Sequence, residues 1–364
     1  MGARAPEFPA NLHVLVMAGG SGTRFWPKSR AKKPKQLLAL WDNKTLLEHT
    51  VERFSRFVPT SNIWIVTTQA LVKPSKDVLG EKYGDVHFLG EPTGKNTAAC
   101  ILWGVHEIAA LETNAIVAVM PADHYIGDEA AFAKAVALAV ADAGAHGGIV
   151  TLGIKPSRPE TGFGYIEIAE ALKHGKHKSE AVAVKQFIEK PDLRTAIRYV
   201  ESGKYLWNAG MFIFKVKDGL DAFRSTMPEL SALFADSYAN GKFSPDDVYS
   251  RIRKEDAVSV DYGMMEPAIE QGIRAATVPV DCDWNDVGSF TALEEINCTT
   301  HGDVVSLNAN TNIVQTDTGL VALLGVNDLV VVRDGDVVLV ASKERAQDIK
   351  ALLEKVKAKF PDKL

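Results

Sequence analysis

The chain has 364 residues, of which 46% are hydrophobic and 24% are charged, and its net charge at pH 7 is −5. This composition is typical of a soluble globular protein, and the weak negative charge excludes a general electrostatic attraction to nucleic acid. No apolar run approaches the length of a membrane span, so we expect no membrane partner. A chain of this length usually forms two domains.

The N-terminal residues and the cysteines favour one cellular compartment. Residues 1–11 contain no apolar segment of the kind that a secretory signal requires. The three cysteines are an odd number and show no C-x-x-C spacing: Cys100, Cys282 and Cys298. We therefore expect reduced, mostly packed thiols in a cytoplasmic protein.

The first half of the chain alternates between strand and helix patterns. Short β-branched or apolar runs predict strands at residues 14–17, 63–67, 86–89, 116–120 and 149–152. Apolar periodicity or helix-forming composition predicts helices near residues 46–54, 96–111 and 129–143. Nearly continuous apolar strands between helices predict an α/β fold with a mainly parallel sheet that is covered on both faces.

The pattern changes twice in the second half. Strands are predicted at 165–168, 181–188 and 210–214, with a surface loop at 173–180, a helix at 193–201 and a mostly helical run to about residue 272. After residue 296, closely spaced strands are predicted at 304–307, 312–316, 320–324, 329–332 and 337–340. We therefore predict two domains, residues 1–296 and residues 297–364.

A final helix is predicted after Ser342, which is a plausible N-cap. The helix carries a narrow apolar seam at spacings of three and four, formed by Ala346, Ile349, Leu353, Val356 and Phe360. The seam fits two interpretations equally well: packing on the chain's own β-domain, or contact with a second copy in a dimer.

The segment Ala18–Gln36 is the strongest candidate for a binding site. It follows the first predicted strand and carries Gly19, Gly20 and Gly22, which permit positive φ at little steric cost, so that backbone N–H groups can surround an anion. The segment is neither a Walker loop, because no Gly-Lys-Ser/Thr follows, nor a dinucleotide fingerprint, because Phe25 replaces the third glycine.

Cations follow the glycines in the same segment. Arg24 and Lys35 are suited to the charges of a polyphosphate. A solvated basic surface loop is the better interpretation for the remaining lysines of the segment, Lys28, Lys32 and Lys33.

Two carboxylates in later segments of the chain are candidate metal ligands. Asp123 comes directly after the strand at 116–120, where ligands of a parallel sheet gather, and it is well placed to hold Mg²⁺. Asp286, within 281–289, is the best candidate for a second metal carboxylate. Asp283 is the more solvated neighbour, and His124 is a structural loop residue because magnesium prefers oxygen ligands. The pattern indicates no role for Asn285.

Three further polar segments suit a sugar phosphate. Residues 160–165, 189–191 and 207–211 combine small residues with paired donors and acceptors next to predicted strands. Each alone is typical of an ordinary turn. Their convergence at several strand ends favours a binding site.

Eight segments, taken in chain order, resemble motifs of the sugar-1-phosphate nucleotidyltransferases, and the resemblance extends over nearly the whole chain. These segments are 18–36, 91–97, 121–124, 161–166, 187–191, 207–212, 259–266 and 281–289. The form Arg24-Phe-Trp-Pro-x-Ser-Arg-x-x-x-Pro-Lys-Gln is similar to that of the branch that acts on mannose 1-phosphate. The resemblance implies a Rossmann-like, GT-A-like sheet with a small C-terminal β-domain, a terminal helix and a homodimer. It also implies transfer of GMP from GTP to mannose 1-phosphate with Mg²⁺.

The same resemblance implies roles for individual residues. Catalysis would involve Arg24, Lys35, Asp123 and Asp286, the last two as Mg²⁺ ligands. The nucleotide would be bound by Ala18, Gly19, Gly20, Gly22, Thr23, Arg24, Lys35, Glu91, Thr93, Gly94, Asn96 and Asp123. The sugar would be bound by Gly164, Glu189, Lys190, Asn208 and Asp286. The segment 260–266 departs from the family pattern by a glycine and methionines, which we expect to alter packing rather than chemistry.

Three alternatives stay open at this point. The same reaction can use another sugar 1-phosphate, such as a heptose or glucose derivative, or another nucleotide. A non-catalytic relative that binds nucleotide sugar is disfavoured, because it has no need for all four charged catalytic residues. A Rossmann-type oxidoreductase is also disfavoured, because Thr68 and Gln69, not an acidic residue, follow the second strand.

Overall fold

A computed structural model describes residues 6–20, 22–169, 181–241 and 243–364. The loop predicted at 173–180 lies outside these residues. None of the described helices is both long and apolar enough to cross a membrane. Local signals fix several helix starts; for example, Thr45 and Glu48 form a reciprocal capping box at the start of the first helix.

The described strands fall into one long series followed by a short C-terminal series. In chain order they are β1 (Leu12–Met17), β2 (Ile63–Thr68), β3 (His87–Glu91), β4 (Ile116–Pro121), β5 (Tyr125–Ile126), β6 (Ile149–Ile154), β7 (Tyr165–Ile168), β8 (Val182–Ile188), β9 (Tyr205–Lys215), β10 (Ala275–Val280), β11 (Trp284–Asn285), β12 (Thr300–His301), β13 (Val304–Leu307), β14 (Ile313–Thr316), β15 (Val321–Leu324), β16 (Leu329–Asp334) and β17 (Val337–Ser342).

The described α-helices lie mainly between the strands of the first series. They are α1 (Leu46–Ser55), α2 (Gln69–Leu79), α3 (Asn96–Leu111), α4 (Glu129–His146), α5 (Leu193–Ser202), α6 (Val216–Thr226), α7 (Pro228–Ala239), α8 (Pro245–Arg251), α9 (Glu266–Glu270), α10 (Ala292–Glu295) and α11 (Ile349–Lys359). Most predicted elements agree with these bounds to within a few residues.

The main sheet of the described chain has the strand order β3-β2-β1-β4-β9-β6-β10-β8-β7. Strands β3, β2, β1 and β4 are parallel, as are β6 and β10. Strand β9 lies between β4 and β6 and runs antiparallel to both. The predicted α/β fold is confirmed, but the sheet is mixed and not mainly parallel, because β9, β8 and β7 pair with their neighbours in antiparallel orientation.

Strand β9 begins earlier than predicted, and this corrects the expected position of one site residue. Asn208 was expected in a loop before a strand at 210–214, but β9 already begins at Tyr205 and includes Asn208. Asn and Gly are typical turn residues, and here Gly210 adopts φ 64° inside the strand. Because β9 is antiparallel, its first residues lie beside the end of β6, where Asn208 is opposite Gly153.

Helices cover both faces of the sheet. Along β1, Val14 and Val16 belong to the core formed with α1 and α4, while Leu15 belongs to the core formed with α3. This alternation follows from the two-residue period of a strand. A Cβ atom on Gly104 of α3 would lie 2.4 Å from Leu15 Cδ1, so the close packing of this helix requires glycine there.

A third core joins the glycine-rich segment to the C-terminal strands. Its buried members are Phe25, Trp26, Leu38, Leu40, Leu46, Val287, Phe290, Ala292, Leu293, Ile313, Val330, Val332, Leu339, Ala346 and Ile349. The C-terminal region is therefore packed directly against the predicted nucleotide-binding segment. The boundary predicted at residues 296–297 falls between α10 and β12.

The end of the chain differs from the prediction in detail. Residues 343–348 form a 3₁₀ helix, the α-helix begins only at Ile349, and the Ser342 side chain makes no capping hydrogen bond. The apolar seam packs on the chain's own third core through buried Ala346 and Ile349 and partly buried Leu353, whereas Phe360 is 57% exposed. One continuous seam covers both helix types because both place residues three or four apart on similar faces.

Ion pairs reinforce the same contact. Lys28, predicted to be a solvated surface residue, is completely buried, and its Nζ lies 2.6 Å from Asp317 Oδ1. Burial raises the pKa of Asp317, but the hydrogen bond and charge of Lys28 outweigh this effect and leave the pKa below its ordinary value. Arg30 pairs with Asp334 at 3.2 Å. Local sequence could not indicate these partners, because they lie in the C-terminal strands, far along the chain.

Asp317→Ala is expected to destabilise the protein more than Lys28→Met. The first change leaves a fully buried ammonium without its carboxylate, which typically costs about 3–5 kcal/mol, whereas the second removes the buried charge and leaves a carboxylate that is 29% exposed. Urea unfolding of both variants measures the difference. Asp77→Ala, which breaks the exposed Lys73–Asp77 pair, is the control and should change stability little. Equal losses for the two variants would contradict this asymmetry.

Candidate active site

Three loops meet at one edge of the main sheet. The glycine-rich segment follows β1, Asp123 follows β4, and Asp286 follows β10. Strands β5 and β11 pair with each other, with Asn285 opposite Tyr125, and this pairing brings the loop after β10 to the loop after β4. Asp123 and Asp286 consequently line one cavity of about 370 Å³ together with the glycine loop. The predicted convergence of the glycine loop and both carboxylates is present in the structure.

The glycine loop is compact. Gly20 and Gly22 have φ values of 102° and 58°, in the region that favours glycine. A Cβ atom on Gly22 would lie 2.5 Å from Lys35 Cβ, so glycine is required for Lys35 to approach. Arg24 follows in a 3₁₀ turn and is exposed, with its Nη1 3.5 Å from the Gly288 carbonyl oxygen. Gly19, Gly20, Gly22, Thr23, Arg24 and Lys35 all line the cavity.

The base of this loop is held by side chains that the sequence did not single out. The Ala18 carbonyl oxygen accepts hydrogen bonds from Gln36 Nε2 at 2.6 Å and from Thr67 Oγ1 at 2.8 Å. Ser29 Oγ donates to the Gly22 carbonyl oxygen at 2.7 Å. These buried contacts attach the segment to β2 and close it on itself. Gln36 is the last residue of the motif that begins at Arg24, and its place in this motif was the signal that could have indicated its positioning role.

Lys35 connects the two acidic loops. Its Nζ donates to Asp123 Oδ2 at 2.7 Å and to the Asp286 carbonyl oxygen at 2.6 Å, and its side chain is only 10% exposed. Burial raises the pKa of Asp123, but the charge and hydrogen bond of Lys35, together with weaker contributions from His124 and the backbone, outweigh burial and leave this pKa below its ordinary value, so the carboxylate is ionised at neutral pH. Burial and the charge of Asp123 raise the pKa of Asp286 above its ordinary value, although Lys35 opposes them. A bound cation would therefore favour the ionised form of Asp286.

Asn285, which the sequence left without a role, shapes the loop that carries Asp286. Its Nδ2 donates to Glu295 Oε2, and its Oδ1 accepts from the Val287 backbone N–H, both at 2.7 Å. Val287 has a positive φ of 46°, so this tight turn needs such local hydrogen bonds. Asp283 is exposed, as predicted.

His124 lines the same cavity and is hydrogen-bonded to the strand β11. Trp284 Nε1 donates to His124 Nδ1 at 3.1 Å, and burial lowers the pKa of His124 to about 4, so the ring is neutral. The described residues contain no group of three or more His, Cys, Asp or Glu side chains that could hold a metal ion. Asp123 and Asp286 line the same cavity beside the glycine loop.

The predicted sugar-binding residues form a second group. The Asn208 backbone N–H donates to the Gly164 carbonyl oxygen at 2.8 Å, and Lys190 pairs with Glu189. A Cβ atom on Gly164 would lie 2.4 Å from Glu189 Oε2, so glycine allows this carboxylate to approach. Asp261, which the sequence analysis did not assign, accepts from Asn208 Nδ2 at 2.7 Å. Asp261 lies in 259–266, one of the segments that resemble the family, and this position was the signal that could have identified it as a site residue.

Residues 260–266, whose glycine and methionines depart from the pattern of the family, pack closely against a neighbouring side chain. Residues Asp261–Met265 form one π-helical turn, in which Met264 and Met265 are buried. A Cβ atom on Gly263 would lie 2.5 Å from Met227 Sδ. Glycine is needed here because another side chain packs against the backbone, in agreement with the expectation of altered packing.

The residues predicted near the base and ribose lie at the carboxyl end of β3, separated from Asp123 by β2 and β1. Thr93, Gly94 and Asn96 are exposed, whereas Glu91 is 5% exposed. Burial raises the pKa of Glu91 to about 7. The Glu91 carboxyl group is therefore buried. Of the residues predicted near the base and ribose, a ligand can reach those in the exposed loop that follows Glu91.

A larger cavity of about 530 Å³ adjoins the first and shares Asp286 with it. Arg158, Phe163, Trp207 and Trp284 contribute to its lining. The Arg158 guanidinium lies 5.5 Å from the centroid of Trp207, within cation–π range. No local signal in the sequence marks Arg158, because only the tertiary fold brings this arginine and the aromatic rings together.

Comparisons with known proteins identify the family of this chain. Residues 13–302 match the family model for nucleotidyl transferases, and residues 302–356 match that for the mannose-phosphate isomerase/GMP-like beta-helix domain. Mannose-1-phosphate guanylyltransferase of Escherichia coli K12 is 38% identical over 96% of this chain and 74% of its own length. The xanthan biosynthesis protein XanB of Xanthomonas campestris is 35% identical, over 94% of this chain and 73% of its own length.

The same relationship is visible in three dimensions. A crystal structure from Thermus thermophilus, described as a mannose-1-phosphate geranyltransferase, superimposes with a TM-score of 0.84 at 34% identity and covers 95% of this chain and 99% of its own. The fold, the ordered motifs and the relatives point to one assignment. The chain belongs to the nucleotidyl transferase family, together with the mannose-1-phosphate guanylyltransferases.

Proposed function

We propose that this chain transfers GMP from GTP to α-D-mannose 1-phosphate, giving GDP-mannose and pyrophosphate. The observation that carries the proposal is the position of Lys35, whose ammonium joins Asp123 to the Asp286 loop beside the glycine loop. Two relatives named as mannose-1-phosphate guanylyltransferases, 38% and 37% identical over 96% and 95% of this chain, support the choice of GTP and mannose 1-phosphate.

The reaction exchanges one phosphorus–oxygen bond for another. A phosphate oxygen of mannose 1-phosphate attacks the α-phosphorus of GTP, and the bond between that phosphorus and the bridging oxygen to the β-phosphate breaks, so pyrophosphate leaves with the electron pair. The nucleophile is already anionic, and no general base is needed. The obstacle is repulsion between two anions, so positioning and charge neutralisation supply most of the catalysis. Arg24 and Lys35 stabilise the charge that moves onto pyrophosphate.

Asp123 and Asp286 would hold the Mg²⁺ ion. The two carboxylates line the same cavity, and mutual repulsion contributes to the raised pKa of Asp286, so the pair fits a divalent cation. When bound, Mg²⁺ supplies positive charge that neutralises phosphate oxygens. The protein contributes orientation: Asn285 holds the turn that carries Asp286, and Lys35 holds Asp123.

The sugar is assigned to Gly164, Glu189, Lys190 and Asn208. Their hydrogen bonds and close approach place small, charged and amide groups together, a combination that suits sugar hydroxyls. The exposed Thr93, Gly94 and Asn96 stay the predicted contacts to base and ribose. Glu91 would support that loop from below.

Pyrophosphate release, measured across four nucleotides and several sugar 1-phosphates, tests the substrates. We expect the highest kcat/KM with GTP and mannose 1-phosphate and a dependence on Mg²⁺. Preference for UTP, ATP or glucose 1-phosphate would contradict the proposed substrates. Binding of nucleotide sugar without turnover would favour the non-catalytic alternative.

Asp123→Asn and Arg24→Ala are expected to lower kcat/KM by about a hundredfold to a thousandfold each, because each removes a preorganised charge. The release assay measures the loss, and thermal unfolding checks that both variants fold. Asp283→Asn is the matched control, since Asp283 is exposed and lies in the loop after β10 without a proposed role. Near-normal turnover of folded Asp123→Asn would remove this carboxylate from the mechanism.

Gly164→Ala is expected to raise KM for mannose 1-phosphate about tenfold and to leave KM for GTP unchanged, because a new Cβ atom displaces Glu189. Steady-state kinetics with each substrate varied in turn separates the two constants. Gly144→Ala in α4 provides the control, because a Cβ atom there would make only an ordinary contact, 3.5 Å from Ile116. An equal rise in both KM values would argue against a specific sugar site.

We also propose a homodimer formed through the C-terminal strands. Large aliphatic side chains are exposed there at Val305, Leu307, Leu324, Val338 and Val340, on β13, β15 and β17. Within this set Leu307 and Leu324 are opposite each other across a parallel strand pair. Exposed aliphatic side chains that lie opposite each other on paired strands, as Leu307 and Leu324 do, are suited to an association face.

Leu324→Asp is expected to convert a dimer into a monomer, because it places a charge in the apolar contact. Light scattering coupled to gel filtration measures the mass. Leu111→Asp, at an exposed apolar position on the end of α3, is the control and should not change the mass. A monomeric parent protein, or a dimer that survives Leu324→Asp, would rule out this interface.

A further inference from the structure

The start of α11 is fixed at the rim of the cavity that contains the glycine loop. Ile349 and Ala346 are 2% and 1% exposed and pack in the third core with Phe25, the residue directly after Arg24. Trp26 Nε1 donates to the Lys363 carbonyl oxygen at 2.9 Å. These contacts anchor the C-terminal helix to the segment that carries the glycines.

Lys350 lies next to the buried Ile349 and lines the cavity, although it comes from the opposite end of the chain. It shares this lining with Gly19, Gly20 and Arg24. Its side chain is exposed to the cavity, whereas the backbone beside it is held by the core. The C-terminal region therefore contributes a cation to a site that is otherwise built by residues 19–288.

Two other lysines at the contact between the glycine-rich segment and the C-terminal region have carboxylate partners, unlike Lys350. Lys28 pairs with Asp317, and Lys343, seven residues before Lys350, pairs with Glu294 at 2.9 Å. Over the part of the chain that the structure describes, Lys350 makes no ion pair within 4 Å. Its positive charge is thus available to a ligand in the cavity.

The charges of the cavity show why a further cation matters. Three basic side chains, Arg24, Lys35 and Lys350, line the cavity from different segments of the chain. Lys350 adds a positive charge from the C-terminal helix to the two that the glycine-rich segment supplies. A triphosphate, with about four negative charges near neutral pH, gains from each additional cation in a partly enclosed cleft.

We propose that Lys350 is a phosphate-binding residue that contacts the triphosphate of the nucleotide from the side opposite the main sheet. The C-terminal region is then part of the nucleotide site and not only a dimer contact. This inference rests on the proposed function, since it takes the ligand of the glycine-loop cavity to be a nucleoside triphosphate.

Calorimetric binding of tripolyphosphate and of GTP to the full chain tests the proposal. Lys350→Met should weaken both about tenfold, because it removes one charge-assisted hydrogen bond, and Lys350→Arg should recover most of the affinity. Lys357→Met removes the same charge from the same helix, two turns or about 10 Å further on, and should leave both affinities unchanged. The difference between Lys350→Met and the parent should shrink as salt rises.

The outcomes separate the two proposals. If the parent protein binds tripolyphosphate and GTP and Lys350→Met binds them equally well, Lys350 is not a phosphate ligand, and the proposed function is unaffected. If the parent protein binds neither, the triphosphate site itself is wrong and this inference falls with it. Equal weakening by Lys350→Met and Lys357→Met would indicate a general effect of charge and would also overturn the specific contact. KM for mannose 1-phosphate should not change in Lys350→Met.

Discussion

The cleft depends on the close approach of Gly22 and Lys35. Any side chain at position 22 would overlap the Cβ atom of Lys35, and the positive φ of Gly22 turns the backbone so that the loop closes on this lysine. Lys35 in turn reaches Asp123 and the Asp286 loop. One steric constraint therefore sets the distance between the glycine loop and both acidic loops, and the electrostatics of the cleft follow from it.

The C-terminal region supports this arrangement from outside the main sheet. Phe25 and Trp26 are buried in a core that includes β14 and β16, and full burial of such side chains contributes about 1.5–3 kcal/mol each. Lys28 is buried only because Asp317 neutralises it. A buried ion pair adds little net stability but specifies its partner strongly, since either charge alone is costly. The pair thus fixes the position of the glycine-rich segment relative to the C-terminal strands.

Most of the fold was predictable because its signals are local. The runs at β1, β2 and β4 are apolar on both faces, which indicates covered strands, and the capping residues and periodicity of α1 indicate its start and buried face. Strand direction was not predictable, because an apolar run is the same in either direction. Strand β10 was missed because its sequence, Ala275–Val280, contains Pro279, and proline is depleted within strands.

The site was predictable to a similar degree. The order of motifs identified Arg24, Lys35, Asp123 and Asp286 as one group, and the structure brings them to one cavity. The hydrogen-bond partners of Gln36 and Asn285 were not predictable from their positions in the sequence. Both act through hydrogen bonds to backbone atoms, and such partners depend on how the loops fold back.

The sequence by itself determined the residue types that the chemistry needs: glycines that permit an anion-binding loop, cations beside it, and carboxylates after later strands. Only the tertiary structure decided which of these groups meet. Asp286 lies beside Asp123 through the pairing of β5 with β11, Lys28 is buried against Asp317, and Lys350 reaches the cavity from the final helix. The physical reason is that periodicity and propensity act over a few residues, whereas these contacts join segments that are distant along the chain and form only when the cores pack.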